Sequence, residues 1–322
     1  MDPQAPNAER RTDAAMPLLV TGTVGIDTIE TPHDKRENIL GGSSVYFAAA
    51  ASFFTEVRML AAAGEDFHDD FRQSLAQFPN ICLKGLEVRQ GSETFAWGGK
   101  YFDDWNTRET LFTKLGVLEE APPTPPEEYR DSRFLFLANS HPSVQLSFLD
   151  AFPQLNFTVV DTMNLWIDIA KPELLQLLER VDGIVLNDEE SEMLTGEPNI
   201  YKAGEKIINE MGPMFVVIKK GAHGCVLIHD QGIAALPAYP VKNVIDPTGA
   251  GDSFAGGMMG HLAAAHSKDN NVSIESIRQS LVHGTVIASY LIESFSLERV
   301  ATLTRQEIAH RYEEFMEMIR VR

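Results

Sequence analysis

The chain has 322 residues, 44% of them hydrophobic, with 27 Lys and Arg against 46 Asp and Glu and a formal net charge of -19. A surface this acidic argues against partners such as nucleic acid and anionic membranes, since it offers no counterion release, and no stretch approaches the ~18 apolar residues of a membrane helix. Cys82 and Cys225 stand far apart in apolar surroundings, which excludes a disulfide framework or zinc spacing and fits two buried thiols in a reducing cytoplasm.

Residues 1–15 are polar and mixed in charge and read as a disordered tail, and the "PLLV" that follows is too short for a signal peptide. "PLLVTGTVGID" (17–27) predicts a buried first strand and the turn after it. "GGSSVYFAAAASFF" (41–54) predicts a glycine turn entering a buried helix, and "EVRMLAAAGED" (56–66) another strand and turn. Residues 85–115, rich in Thr and aromatics with apolar alternation, predict a patch of antiparallel strands turning at Gly91 and at Gly98-Gly99. "EEAPPTPPEEY" (119–129) is a proline-rich connector. Beyond it, "RFLFLAN", "FTVVDTM", "GIVLN" and "MFVVIKKG" are short, nearly continuous apolar runs, as strands buried on both faces must be. Helical patterns such as 171–181 separate them, and Thr304 and Glu307 have capping-box spacing. The fold class is therefore α/β: one core, residues 16–322, with a doubly covered, mostly parallel sheet and a small antiparallel patch set on it.

The chemistry concentrates in "DPTGAGDSFAGGMMG" (246–260). An extended segment (241–246) and a small-residue helix (251–266) flank the loop, so the amides of Gly249, Ala250 and Gly251 face outward at a helix N-terminus, an anion site by geometry and dipole. No GxxxxGK[ST] occurs, and "GTVGID" after the first strand is a poor dinucleotide fingerprint. Asp252 lies directly behind the loop. It is either a general base for phosphoryl transfer, accepting the attacking hydroxyl's proton, or an acid complementing the helix dipole.

This segment resembles the C-terminal signature of the ribokinase-like, or pfkB, carbohydrate kinases. Further matches follow in order: Gly41-Gly42 leading into a small-residue helix, "NDEE" (187–190) similar to an Asn-x-x-Glu motif, and "KKGAHG" (219–224). The resemblance spans about residues 16–322 and implies an ATP-dependent kinase acting on a small sugar or a nucleoside, with residues 85–115 as a β-lid. It implies Asp252 as base, the 249–251 amides as anion hole, and magnesium ordered by Glu190 through water. Asn187, Lys219, Gly221, Gly224 and His283 then line the nucleotide site, and Asp27, Gly41, Gly42 and Asn164 the acceptor site. It also places a potassium ion at Asp246 and Thr248, although "LIESFS" (291–296) departs from the common pattern there.

In the acceptor pocket Tyr46 stands where many members carry an Asn. With Phe95 and Trp97, at i and i+2 on one lid face, it predicts either a stacking site for a nucleoside base or, with slightly more weight, lid core above a plain sugar. The same lid face leaves a homodimer through the lid open. A catalytically silent sensor on the same fold is disfavoured by the intact Asp252 loop. A dinucleotide enzyme would need an acid at a strand end about twenty residues past its glycines, where "SKDNNVSIESI" instead reads as a loop entering a helix.

Overall fold

The apolar runs rich in Val, Ile, Leu and Phe become strands, as their β-branched and aromatic content favours. The computed structural model describes residues 17–105, 107–266 and 272–320; the expected tail, 1–15, lies outside the described residues. In chain order the strands are β1 Leu18–Thr21, β2 Gly25–Glu30, β3 Lys35–Gly41, β4 Val57–Gly64, β5 Ile81–Arg89, β6 Phe95–Tyr101, β7 Arg108–Lys114, β8 Phe134–Leu137, β9 Phe157–Asp161, β10 Gly183–Asn187, β11 Phe215–Lys219, β12 Cys225–His229 and β13 Gly232–Leu236. Nine form one sheet in the order β13-β12-β11-β10-β9-β8-β1-β4-β5. Pairing is parallel from β11 to β5, and β12 and β13 add antiparallel at one edge.

Alternate residues of each strand enter two cores. Leu18, Val20, Phe134, Phe136, Val185 and Val217 pack under the helices Ser43–Ala51, Ala250–Ala265 and Ile274–Leu291. Leu19, Leu135, Leu137, Ile184, Val216 and Ile218 pack on the opposite face with Leu174 and Ile207 of the helices Lys171–Leu178 and Ile200–Met211. Each fully buried Val, Leu or Phe contributes about 1.5–3 kcal/mol, so both faces are held as firmly as a doubly covered sheet requires. The chain winds outward from β1 through β4 to β5, then returns to β8 on the other side of β1. That reversal opens a crevice at the carboxyl ends of β1 and β8, where ligands bind in such sheets.

The second sheet has the order β3-β2-β6-β7. It corrects the expected patch in three ways. Residues 81–89 belong to the large sheet, paired parallel with β4, while half of the small sheet comes from β2 and β3. The small sheet is mixed, because β2 and β6 run parallel. Gly98 and Gly99 make no turn. A Cβ on Gly98 would lie 2.4 Å from the Phe112 ring, and one on Gly99 2.0 Å from the Trp97 ring, so these glycines seat aromatic rings at a bulge inside β6. The turn falls later, where the Phe102 amide bonds to Thr107 O. Ile29 and Tyr101 dock the sheet on Phe295, with Trp97, Ile39 and Ile245 packed around them.

Small residues let the helix Ala250–Ala265 approach its neighbours closely. A Cβ on Gly256 would lie 2.3 Å from the Phe47 carbonyl oxygen, and one on Gly260 2.8 Å from Ala51 Cα. Gly256→Ala gains about 1 kcal/mol of helix propensity, but backbone atoms cannot yield to the methyl, and overpacking costs about 1–3 kcal/mol. Calorimetry is expected to show a Tm lower by a few degrees; an unchanged or higher Tm would contradict this packing.

Candidate active site

The turn after β1 is fastened to the Gly41-Gly42 helix by reciprocal bonds. The Thr23 amide donates to Ser43 Oγ at 3.1 Å, the Ser43 amide to Thr23 Oγ1 at 3.0 Å, and Ser44 Oγ to the Thr23 carbonyl at 2.7 Å. Gly42, at φ 103°, is the helix N-cap and makes this close approach possible. The same junction sets Asp27 on β2 opposite Gly41. A Cβ on Gly41 would stand 1.9 Å from Asp27 Oδ2, so the carboxylate occupies the space a side chain would fill. Asp27 is buried and its Oδ1 has no partner among the described residues. Burial, with the negative charges of Asp246 and Asp252, pushes its pKa up to about 8.

Across the crevice, Gly249 adopts the left-handed conformation at φ 76° and caps the helix Ala250–Ala265. The Ala250 amide turns back to Pro247 O at 3.1 Å. Of the three amides expected to form an anion hole, those of Gly249 and Gly251 have no partner among the described residues. Asp252 sits in the first turn, its pKa raised to about 7 by burial and by Asp161, against the lowering effect of Lys219.

Strands β9, β10 and β11 end side by side and deliver the charges beneath this loop. Lys219 closes β11 with Nζ 3.7 Å from Asp161 Oδ1 at the end of β9. A Cβ on Gly251 would meet that Nζ at 2.9 Å, so the ammonium lies directly under the loop. Asp161, Glu190 and Asp252 hold its pKa above the ordinary value despite burial. Asn187 and Glu190 complete a capping box: Asn187 Oδ1 accepts from the Glu190 amide and Glu190 Oε2 from the Asn187 amide, both at 2.7 Å. The pairing fixes Glu190, whose pKa burial raises to about 7, and leaves one of its carboxylate oxygens outside the box.

Other expected residues fall as follows. Asp246 Oδ1 accepts from the Thr248 amide at 2.9 Å, while Oδ2 is buried without a partner. Asn164 opens the helix Asn164–Ile169 just past β9, half-buried. Gly221 and Gly224 shape the turn from β11 to β12, and Gly224 also lies against β13, where a Cβ would stand 2.0 Å from Leu236 O. Tyr46 is not an open stacking platform: it is 1% exposed, and its ring lies on Gly249, where a Cβ would meet it at 2.3 Å. Phe95 and Trp97 do share a face, and Trp97 looks inward. His283 has its ring faces taken by His261 at 4.0 Å and Tyr312 at 4.7 Å. Burial lowers its pKa to about 3, and the two rings hold it in place. Sequence reading passed over Arg108 and Tyr101, whose partners depend on strand register.

Residues 138–299 match the family described as pfkB family carbohydrate kinase. A cytidine kinase of Thermococcus kodakarensis is 29% identical over 248 residues, covering 75% of this chain and 87% of that protein. The Burkholderia thailandensis nucleoside kinase in complex with inosine superposes with a TM-score of 0.73 at 18% identity, covering 93% of this chain and 99% of that one. The Arabidopsis thaliana ribokinase complexed with ribose and ATP gives the same TM-score, 0.73, at 18% identity, with 93% and 99% covered.

Asp27 makes the folded state sensitive to alkali. Its pKa rises from 3.8 to about 8 on folding, so the folded chain retains a proton that the unfolded chain releases. Stability therefore declines as pH rises between those values. Asp27→Asn removes this dependence. Thermal melts are expected to show the variant more stable than wild type at pH ~8, the gap closing toward pH ~4; parallel pH profiles would contradict the assignment.

Proposed function

Because the chain belongs to the pfkB family of carbohydrate kinases, we propose that it transfers the γ-phosphoryl group of ATP to a hydroxyl held by Asp27, with Asp252 as general base. The observation that carries this reading is one constellation: free amides of Gly249 and Gly251, the Lys219 ammonium beneath them, and Asp252 one residue further on. The amides and Lys219 hold the phosphoryl oxygens. The acceptor oxygen attacks the γ-phosphorus as its proton passes to the Asp252 carboxylate. The bond from phosphorus to the β,γ-bridging oxygen breaks, and ADP leaves with that electron pair. Asp27, which keeps its proton up to about pH 8, holds acceptor hydroxyls through both carboxyl oxygens, one as donor and one as acceptor, and the small sheet above excludes water.

Magnesium fits as a phosphate-held ion. Among the described residues no group of three His, Cys, Asp or Glu could hold a metal, and Glu190 has one carboxylate oxygen outside its capping box to order the ion's water. When bound, magnesium offsets the triphosphate charge. The unpartnered Asp246 Oδ2 supports a potassium ion beside Thr248. The free thiols of Cys82 and Cys225 suit a reducing cytoplasm. The unpaired edge of β7, with Leu111 and Phe112 exposed, supports a homodimer through the small sheet.

For the acceptor, a nucleoside is supported by the extent of the similarity to the cytidine kinase and by half-exposed Phe95 and Trp97 on the face that carries Asp27. A plain sugar is supported by the burial of Tyr46 and by Trp97 being seated on Gly99. An ADP-release screen over sugars and nucleosides decides between them.

Asp252→Asn keeps the shape and removes the base, and kcat is expected to fall by ~10² or more with ATP binding retained. Since Asp252 acts ionised and its pKa is raised to about 7, wild-type kcat/KM is expected to climb with pH to near that value and then level. Near wild-type turnover in the variant would overturn the mechanism.

Glu190→Gln is expected to raise the magnesium concentration needed for half-maximal rate. An unchanged magnesium titration would leave Glu190 as a helix cap alone.

A further inference from the structure

One cation near the site has no role in the scheme above. Arg108 opens β7 and pairs in register with Tyr101 of β6. Its guanidinium carbon lies 5.9 Å from the centre of the Trp97 ring, and its charge reaches the Tyr101 hydroxyl. Thr248 Oγ1 donates to the Tyr101 hydroxyl at 3.2 Å, so the anion loop is tied to the residue that pairs in register with Arg108, and Trp97 lies beneath the guanidinium. Arg108 is otherwise exposed, and among the described residues no carboxylate forms an ion pair with it. Its charge still reaches Asp252, Glu190 and Lys219. Two cations thus approach the loop from different bodies: Lys219 from the large sheet below, and Arg108 from the small sheet.

An arginine held over a tryptophan and paired with no carboxylate among the described residues is arranged for an anion that is not part of the protein. Its rigid fork of donors matches the planar oxygens of a phosphoryl group in transfer. We propose that Arg108 is a catalytic residue of the phosphoryl-transfer step, engaging the oxygens of the γ-phosphoryl group as the small sheet closes on the acceptor. Because it rides on that sheet, it ties charge stabilisation to acceptor binding, and ATP bound alone lacks it. The inference rests on the kinase reading given above.

The test compares wild type, Arg108→Ala and Arg108→Lys, using cytidine or ribose as the ADP-release screen dictates. Arg108→Ala is expected to lower kcat by ~10²–10³, at or below the range for arginines delivered to a transferring phosphoryl group. KM for ATP should stay within about threefold and Tm near wild type, as befits an exposed side chain. Calorimetric titration supplies a readout independent of turnover. With acceptor present, wild type should bind Mg·ADP·fluoroaluminate more tightly than Mg·ADP; Arg108→Ala should lose ~100-fold of that gain and keep its affinity for Mg·ADP. If Arg108→Ala does not fold, Arg108→Lys, which keeps the charge and loses the fork, should still lose most of the gain. A retained gain overturns the proposal, as does a rise in acceptor KM with kcat intact, which would make Arg108 an acceptor anchor. Wild type that phosphorylates no acceptor would instead refute the kinase reading.

Discussion

The site depends on a single buried ammonium. Lys219 stands among Asp161, Glu190 and Asp252, with its nitrogen 3.7 Å from Asp161 and directly beneath Gly251. Gathering three acids, one at the end of β9 and two in the first turns of helices, would be untenable without it, since an uncompensated buried charge costs several kcal/mol. One lysine cannot neutralise three carboxylates, however. Burial, with the excess of acids over the one lysine, raises the pKa values to about 7 for both Glu190 and Asp252. A carboxylate so poised is a competent base near neutrality, and the same crowding that makes it costly to ionise makes it willing to take a proton.

The acceptor side repeats the pattern with no cation. Asp27 Oδ1, the Tyr46 hydroxyl and Asp246 Oδ2 are all buried without partners among the described residues. Native interiors rarely leave such groups unsatisfied, and those that are mark places where a ligand or ion completes the structure. Under the proposed function, a polyol would supply the hydroxyl donor that Asp27 Oδ1 lacks. The small sheet carries Asp27, Trp97 and Arg108 together, so the closure proposed above would bring all three to the acceptor.

Much of this was legible in the sequence because it is local. The glycine loop before Asp252, the Asn187 and Glu190 pair and the Thr304 cap depend on spacings of a few residues, which helix geometry fixes. The doubly buried strands announced the parallel sheet. What was not legible depends on register between distant segments. The pairing of β2 with β6 joins residues about seventy positions apart, and no local signal distinguishes a glycine that seats a ring from one that turns the chain, as at Gly98 and Gly99. Tyr46 read as a pocket aromatic because the sequence does not reveal that its ring rests on Gly249. The stacking of His283 between His261 and Tyr312 was not legible for the same reason, because those rings come from other helices.

The central claim is that burial among fixed charges, rather than helix position alone, makes Asp252 a base matched to neutral pH. The most direct measurement is the carboxyl protonation itself, followed by pH-difference infrared spectroscopy of wild type minus Asp252→Asn. The account predicts a titrating carboxyl signal centred near pH 7, against the ordinary 3.8. A signal centred near the ordinary carboxylate value would contradict it, leaving Asp252 an acid that complements the helix dipole.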